Sequence, residues 1–279
     1  MIAEFIRVIT TYGAMERAFI AAVLVGLIAG IIGSFVILRG LSLMGDAISH
    51  SVIPGVAISH LLGISHIIGA SVFGLIASTL IGFIGDKTKL KKDTTMGIVF
   101  SSFFALGIVM ASQIRTMTNL QNILFGNVLT VSQNDVNYLV WIAAGLVVFV
   151  VLFYKELLIT SFDETMAQVY GLKTKLIHYG FLLILTLVIV LSLQAVGAVL
   201  IVAMIITPAA TAYLLTNRMH VMLLLSAVLG MLSSIIGVFL SITFNISSGA
   251  SIVLASAVFF LIVFIFAPKK GLIAQWVSK

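Results

Sequence analysis

Apolar positions in this chain neither alternate nor recur as a one-sided stripe; they fill long runs broken by short polar connections. The runs cover residues 18–38, 41–62, 64–84, 94–111, 136–154, 177–193, 195–215, 221–244 and 249–267. About 20 apolar residues carry an α-helix across the hydrocarbon core of a bilayer. A helix also satisfies its backbone polar groups within itself, as that solvent requires. These runs predict an all-α, polytopic helical membrane protein with about nine transmembrane helices. Eight is the competing count, with one run lying along the interface or re-entering. Residues 1–279 read as a single transmembrane domain.

Composition closes the other fold classes. The 279 residues are 61% hydrophobic and 9% charged, against roughly 45–50% and about 25% in soluble chains. A soluble fold of this size could not cover its surface with so few polar groups, and the numbers reverse the disordered signature. The lack of cysteine removes disulfide frameworks, thiolate metal sites and cysteine nucleophiles. The first helices carry no cleavable-signal pattern of charged n-region, short apolar stretch and small-residue cleavage site.

The net charge of +6 does not describe a nucleic-acid surface, because the cations sit at the ends of the apolar runs. Placing residues 86–93 in the cytoplasm also brings in Arg39, the 155–175 connection, Arg218 and the tail from Lys269. Of the 15 Lys and Arg, only Arg7, Arg17 and Arg115 then lie outside. The positive-inside bias predicts an external N-terminus and a cytoplasmic C-terminus. Two connections are long. Outside, residues 113–135 carry Leu120, Ile123, Leu124 and Val128 at helical spacing, either an interfacial helix capping the bundle or a docking surface. Inside, Asp163 and Glu164 stand where a first helical turn favours anions and Gly171 where a C-terminus favours glycine. That stretch predicts one short cytoplasmic helix, Asp163 to Gly171.

Ionisable groups within membrane spans are expensive, about 2.5–3.5 kcal/mol each at mid-bilayer on insertion scales. Those present here concentrate in the second run. Asp46 and His50 are spaced i, i+4, so they project from one helix face about 6 Å apart along the axis. Measured from Leu41, they lie roughly 8 and 14 Å into the core. A carboxylate beside an imidazole at that depth is a candidate metal or proton site; the plain alternative is a buried pair satisfying itself. Gly45, Ser49, Ser51, Pro54 and Gly55 make the span small, polar and bent, and Pro54 cannot donate to the His50 carbonyl. Irregular backbone survives at such depth where it is buried in protein or lines a water-filled cavity. Oxygen plus imidazole without sulfur suits Mn²⁺, Fe²⁺ and Zn²⁺. One Asp and one His hold an ion weakly, and two copies about a two-fold axis would double the set.

The remaining features weigh less. His60 near the outer end of the same run, with His66 just beyond, is a further candidate metal contact or an inert interfacial residue. His178 and His220 fall near cytoplasmic ends, where cationic groups are ordinary. Gly26 and Gly30, with Gly33 a turn on, favour close helix packing. Thr207-Pro208 is expected to break the seventh run, as hinge or kink. No Gly-Lys dipeptide occurs, which excludes a phosphate-cradling Walker loop. The spans also lack the several acids that ion-coupled carriers use, so an energy source would be a separate subunit. A self-contained secondary transporter and a membrane-embedded metalloprotease are the rival classes; the second lacks a His-Glu-x-x-His motif.

Four segments carry a resemblance that runs over nearly the whole chain. They are 43–55 (Leu-Met-Gly-Asp-Ala-Ile-Ser-His-Ser-Val-Ile-Pro-Gly), 163–171, 197–202 followed by Thr207-Pro208-Ala209-Ala210, and 248–254. In them the chain resembles the membrane subunits of ATP-binding-cassette importers for manganese, zinc and iron, and looks closest to streptococcal manganese permeases. The resemblance implies a homodimeric permease of cobalamin-importer style in a bacterial plasma membrane. Its implied partners are two cytoplasmic ATPase subunits and an external metal-binding lipoprotein, with no nucleic acid. It also implies that Asp46 and His50 line the path and that Asp163, Glu164, Gln168 and Gly171 belong to a coupling helix. Pro54, Gly55 and Pro208 are the bend positions. The metal is cargo, Mn²⁺ favoured, with no permanent cofactor and no catalytic residue in this chain.

Overall fold

The computed structural model describes Arg7 and residues 11–113, 131–267 and 271–273. Among these the elements are all helices: α1 (Gly13–Leu38), α2 (Met44–Ser51), α3 (Ile53–Leu62), α4 (His66–Lys87), α5 (Lys92–Ser112), α6 (Gln133–Leu152), α7 (Tyr154–Phe162), α8 (Glu164–Val169), α9 (Thr174–Val196), α10 (Ala198–Leu215), α11 (Met219–Phe244) and α12 (Ser248–Phe266). Among the described residues, 8 helices are long and apolar enough to cross a membrane. The second apolar run is the exception: it forms α2 and α3, separated at Val52. The nine runs thus give eight long helices and one interrupted run among the described residues. The stripe at Leu120, Ile123, Leu124 and Val128 lies outside the described residues. At the end of that connection, Ser132 and Asp135 form a reciprocal capping box that starts α6.

Packing is organised around α1, about two thirds of whose apolar stretch is buried, more than in any other long helix. No apolar driving force separates helix contacts from lipid contacts, so close association comes from small residues that let backbones approach. At Gly26 a Cβ would fall on the carbonyl of Gly230 in α11, and at Gly30 on that of Ser226. The Ser226 hydroxyl donates to the Gly30 carbonyl at 2.6 Å. The predicted glycine spacing thus works as a helix seam. Larger side chains fill the space beyond it, with the Phe35 and Phe181 rings meeting edge-on, centroids 6.2 Å apart.

Two expectations require correction. Pro208 does not break its run: α10 continues through it. Neighbouring helices surround the buried Pro208 and Ala209, a setting in which a membrane helix tolerates a missing N–H. The turn comes earlier, at the lone linking residue Gly197, with φ 85° and ψ 162°. The 155–175 connection holds two helices rather than one, because α7 precedes α8. α7 carries apolar Leu157, Leu158 and Ile159 at its centre and buries Leu157 fully.

A Gly230→Val substitution should drive α1 and α11 apart, since its Cβ meets backbone that cannot yield. Overpacking of this kind costs about 1–3 kcal/mol. The check is thermal unfolding of the detergent-solubilised protein, expected to occur at lower temperature; an unchanged transition contradicts the seam.

Candidate metal centre

The structure places Asp46 and His50 on one face of α2, with His50 Nε2 3.4 Å from Asp46 Oδ1. That separation is longer than a well-made hydrogen bond. Two donors about 2.1 Å from one ion lie about 3.0–3.4 Å apart at octahedral to tetrahedral angles. The pair therefore has the spacing of two ligands to a shared cation. Nor is it self-satisfied. His50 Nδ1 is buried with no hydrogen-bond partner, while 51% of the Asp46 side chain and 25% of the His50 side chain remain exposed. No group of three or more His, Asp or Glu converges among the described residues, so one chain offers a weak two-donor site.

The surrounding helices hold the imidazole in place. Phe100 and Phe104 of α5 present their rings edge-on to His50, each with centroids 5.4 Å away. On the other side of the interruption, the His50 carbonyl accepts a backbone N–H at the Val52 cap, replacing the donor that Pro54 lacks. Pro54 occupies the first turn of α3, where its fixed φ suits a helix start. Gly55 serves a close crossing: a Cβ there would strike the carbonyl of Gly69 in α4, and one at Gly69 would strike that of Gly55. On the next face, Gly107 of α5 seats Ile53 and Pro54. α3 is thus held by two neighbours, and α2, six of whose eight residues are buried, leaves Asp46 half-exposed.

His60 is not brought to the Asp46–His50 pair. It lies ten residues past His50, about 15 Å along the helix axis. Instead its ring stacks on His66 across the α3–α4 turn, with centroids 5.9 Å apart.

The predicted 163–171 residues prove to build α8. Asp163 is the N-cap, its Oδ1 accepting from Met166 N at 2.9 Å. Gly171 takes φ 76°, and its N–H and that of Leu172 bond the Gln168 and Ala167 carbonyls, closing the helix in a Schellman motif. Gln168 donates to Thr174 Oγ1 at 3.3 Å, tying α8 to α9. Asp163, Glu164, Gln168 and Gly171 are exposed, and so are the large apolar side chains beside them, Phe162, Met166, Val169 and Tyr170, at 49–78%. Sequence reading missed these apolar residues as a set; large apolar side chains on a short helix between charged flanks were the available signal.

Arg39 was legible only as a charge. It caps α1 and lines a cavity of about 520 Å³ together with Met44, Asp86, Lys92, Glu164 and His178. Burial lowers its pKa to about 10, against the upward pull of Glu164, so the guanidinium stays charged at neutral pH.

A family model described as the ABC 3 transport family matches residues 11–267. The chain is 52% identical over 269 residues to the manganese transport system membrane protein MntC of Listeria monocytogenes, covering 96% of each. It is 49% identical over 274 residues to the manganese import system permease protein ScaB of Streptococcus gordonii, covering 97% of each. Among solved structures, PsaBC from Streptococcus pneumoniae in complex with a Fab matches with a TM-score of 0.89 at 46% identity, over 100% of both chains. With a matching model over that length and relatives this similar end to end, the chain belongs to the ABC 3 transport family and is a multi-pass membrane permease.

Proposed function

We propose that this chain is the membrane permease of an importer that moves Mn²⁺ into the cell by alternating access, energised by a separate ATPase subunit. The observation that carries the reading is the Asp46–His50 pair: two donor atoms 3.4 Å apart, on a partly open helix face, with polar capacity unspent. Carboxylate oxygen and imidazole nitrogen suit Mn²⁺, Fe²⁺ and Zn²⁺ alike. Manganese is favoured because the relatives described above are named for it. Mn²⁺ is the weakest binder of the divalent series, so most selection falls to an external lipoprotein that delivers the ion.

In this reading a second copy brings its own pair to a two-fold axis, giving two carboxylates and two imidazoles around the ion. The Asp46 carboxylate offsets the cost of stripping water from a dication, and a His50 ring-nitrogen lone pair completes the contact. Few donors per chain keep binding weak enough for release. The interruption at Val52 separates α2, which carries the pair, from α3, which crosses α4 and α5 closely. The N-terminus lies outside, and α8 faces the cytoplasm, where Phe162, Met166, Val169 and Tyr170 enter a groove of the ATPase. Pro208 lies within the continuous α10, where the N–H it lacks makes it the bend position of that helix.

Asp46→Ala and His50→Ala should each lower radiolabelled manganese uptake about a hundredfold, the upper end of the 10–100-fold effects of outer-shell changes at metal sites. Expression and assembly with the ATPase should be intact; wild-type uptake in either variant rejects the site. Val169→Asp with Tyr170→Asp should abolish co-purification with the ATPase subunit, and retained association rejects the docking face. Transport in liposomes by this chain without an ATPase would instead favour the secondary-transporter reading.

A further inference from the structure

We propose that Arg39 is a positioning residue that carries movement of α8 to the Asp46–His50 pair; this rests on the reading of α8 as the ATPase contact and of the pair as the metal site. The argument begins with the backbone. Arg39 ends α1, and Gly40 follows with φ 64°. Gly40 N–H bonds the Ile37 carbonyl at 3.1 Å and Leu41 N–H the Val36 carbonyl at 2.9 Å, the two bonds of a Schellman motif. Met44 N–H then bonds the Leu41 carbonyl and Ala47 N–H that of Leu43, each at 2.9 Å. The stretch from Arg39 to Asp46 is therefore a hydrogen-bonded corner rather than a slack loop. A shift of Arg39 displaces α2 at its first turn.

The side chain runs the other way, towards α7 and α8. Arg39 Nη2 donates to Thr160 Oγ1 at 2.8 Å and Nε to Ser161 Oγ at 3.1 Å. Both hydroxyls spend their own protons within α7: Thr160 on the Glu156 carbonyl at 2.7 Å, Ser161 on that of Leu157 at 2.5 Å. Their lone pairs are thus left to accept, and the fork of the guanidinium matches two adjacent acceptors as a lysine ammonium does not. The same guanidinium lies 4.5 Å from the Phe181 ring centroid on α9, and the Arg39 carbonyl accepts from Lys92 Nζ of α5 at 3.1 Å. Thr160 and Ser161 stand within four residues of Glu164, the first residue of α8.

The cavity explains why one side chain bears this role. Met44 of α2 and Glu164 of α8 both line a hollow of about 520 Å³. Arg39 reaches through it from the corner before α2 to the helix before α8. A partly desolvated cation bonded to neutral hydroxyls also depends on the nearby Glu164 charge, so its preferred position follows α8. Asp86, His178 and Lys92 complete the charged lining.

The test uses the complete transporter (permease, ATPase and binding protein) in proteoliposomes, with manganese uptake and ATP hydrolysis measured together. Arg39→Lys, and separately Thr160→Val with Ser161→Ala, should each lower manganese taken up per ATP hydrolysed about tenfold, the scale of losing a charge-assisted hydrogen-bond pair. ATPase association and hydrolysis should stay within about twofold, the range in which no docking contact is lost. The triple variant should be no worse than either alone, since both remove one link. An unchanged uptake-to-hydrolysis ratio in the Thr160/Ser161 variant overturns the proposal, as does a proportional fall in both rates. If Arg39→Lys fails to assemble, the hydroxyl variant decides alone. Retained ATPase binding by the Val169→Asp/Tyr170→Asp permease would instead overturn the docking reading, so the two failures are distinct.

Discussion

A carboxylate held one helical turn from an imidazole in an apolar span is the constraint around which the molecule is arranged. Such groups are costly in hydrocarbon, and this pair does not offset the cost by bonding itself: the contact is 3.4 Å and His50 Nδ1 has no partner. The neighbouring structure supplies the restraint. Two phenylalanine edges from α5 fix the imidazole, and the broken helix at Val52 separates the segment that carries the pair from the segment that crosses α4 and α5 closely. A span that is polar, small and interrupted is a poor lipid-facing helix and a good wall for a path.

The rest of the bundle supplies rigidity by a different means. Where apolar burial cannot distinguish protein from lipid, backbone contact at small residues does the work of a core. Gly26 and Gly30 against α11, and Gly55 against Gly69, place backbones in direct contact at positions where any side chain would intrude. Those seams make α1 the most buried of the long helices, and at its end Arg39 and Gly40 turn the chain into α2.

Much of this was legible in the sequence because it is local. Run length set the helix count, and the i, i+4 spacing put Asp46 and His50 on one face. Asp163 and Gly171 marked both ends of α8 by capping chemistry alone. Part of what escaped depends on partners far along the chain. Arg39 meets Thr160 across 121 positions, so composition registers it only as a cation. α7 escaped because its apolar residues, Leu157 to Ile159, lie within a connection whose charged residues read as polar. Pro208 sits in a continuous helix because its surroundings accommodate it, overriding the local rule. The outward residues of α8 escaped because the capping positions drew attention to the helix ends rather than to its exposed flank.

The central claim is that a divalent cation rests between Asp46 and His50 during transport. Anomalous diffraction from the manganese-loaded transporter tests it most directly. The account predicts a manganese peak within about 2.1–2.3 Å of an Asp46 oxygen and a His50 nitrogen. A peak elsewhere along the path, with these two side chains turned away from it, would contradict it.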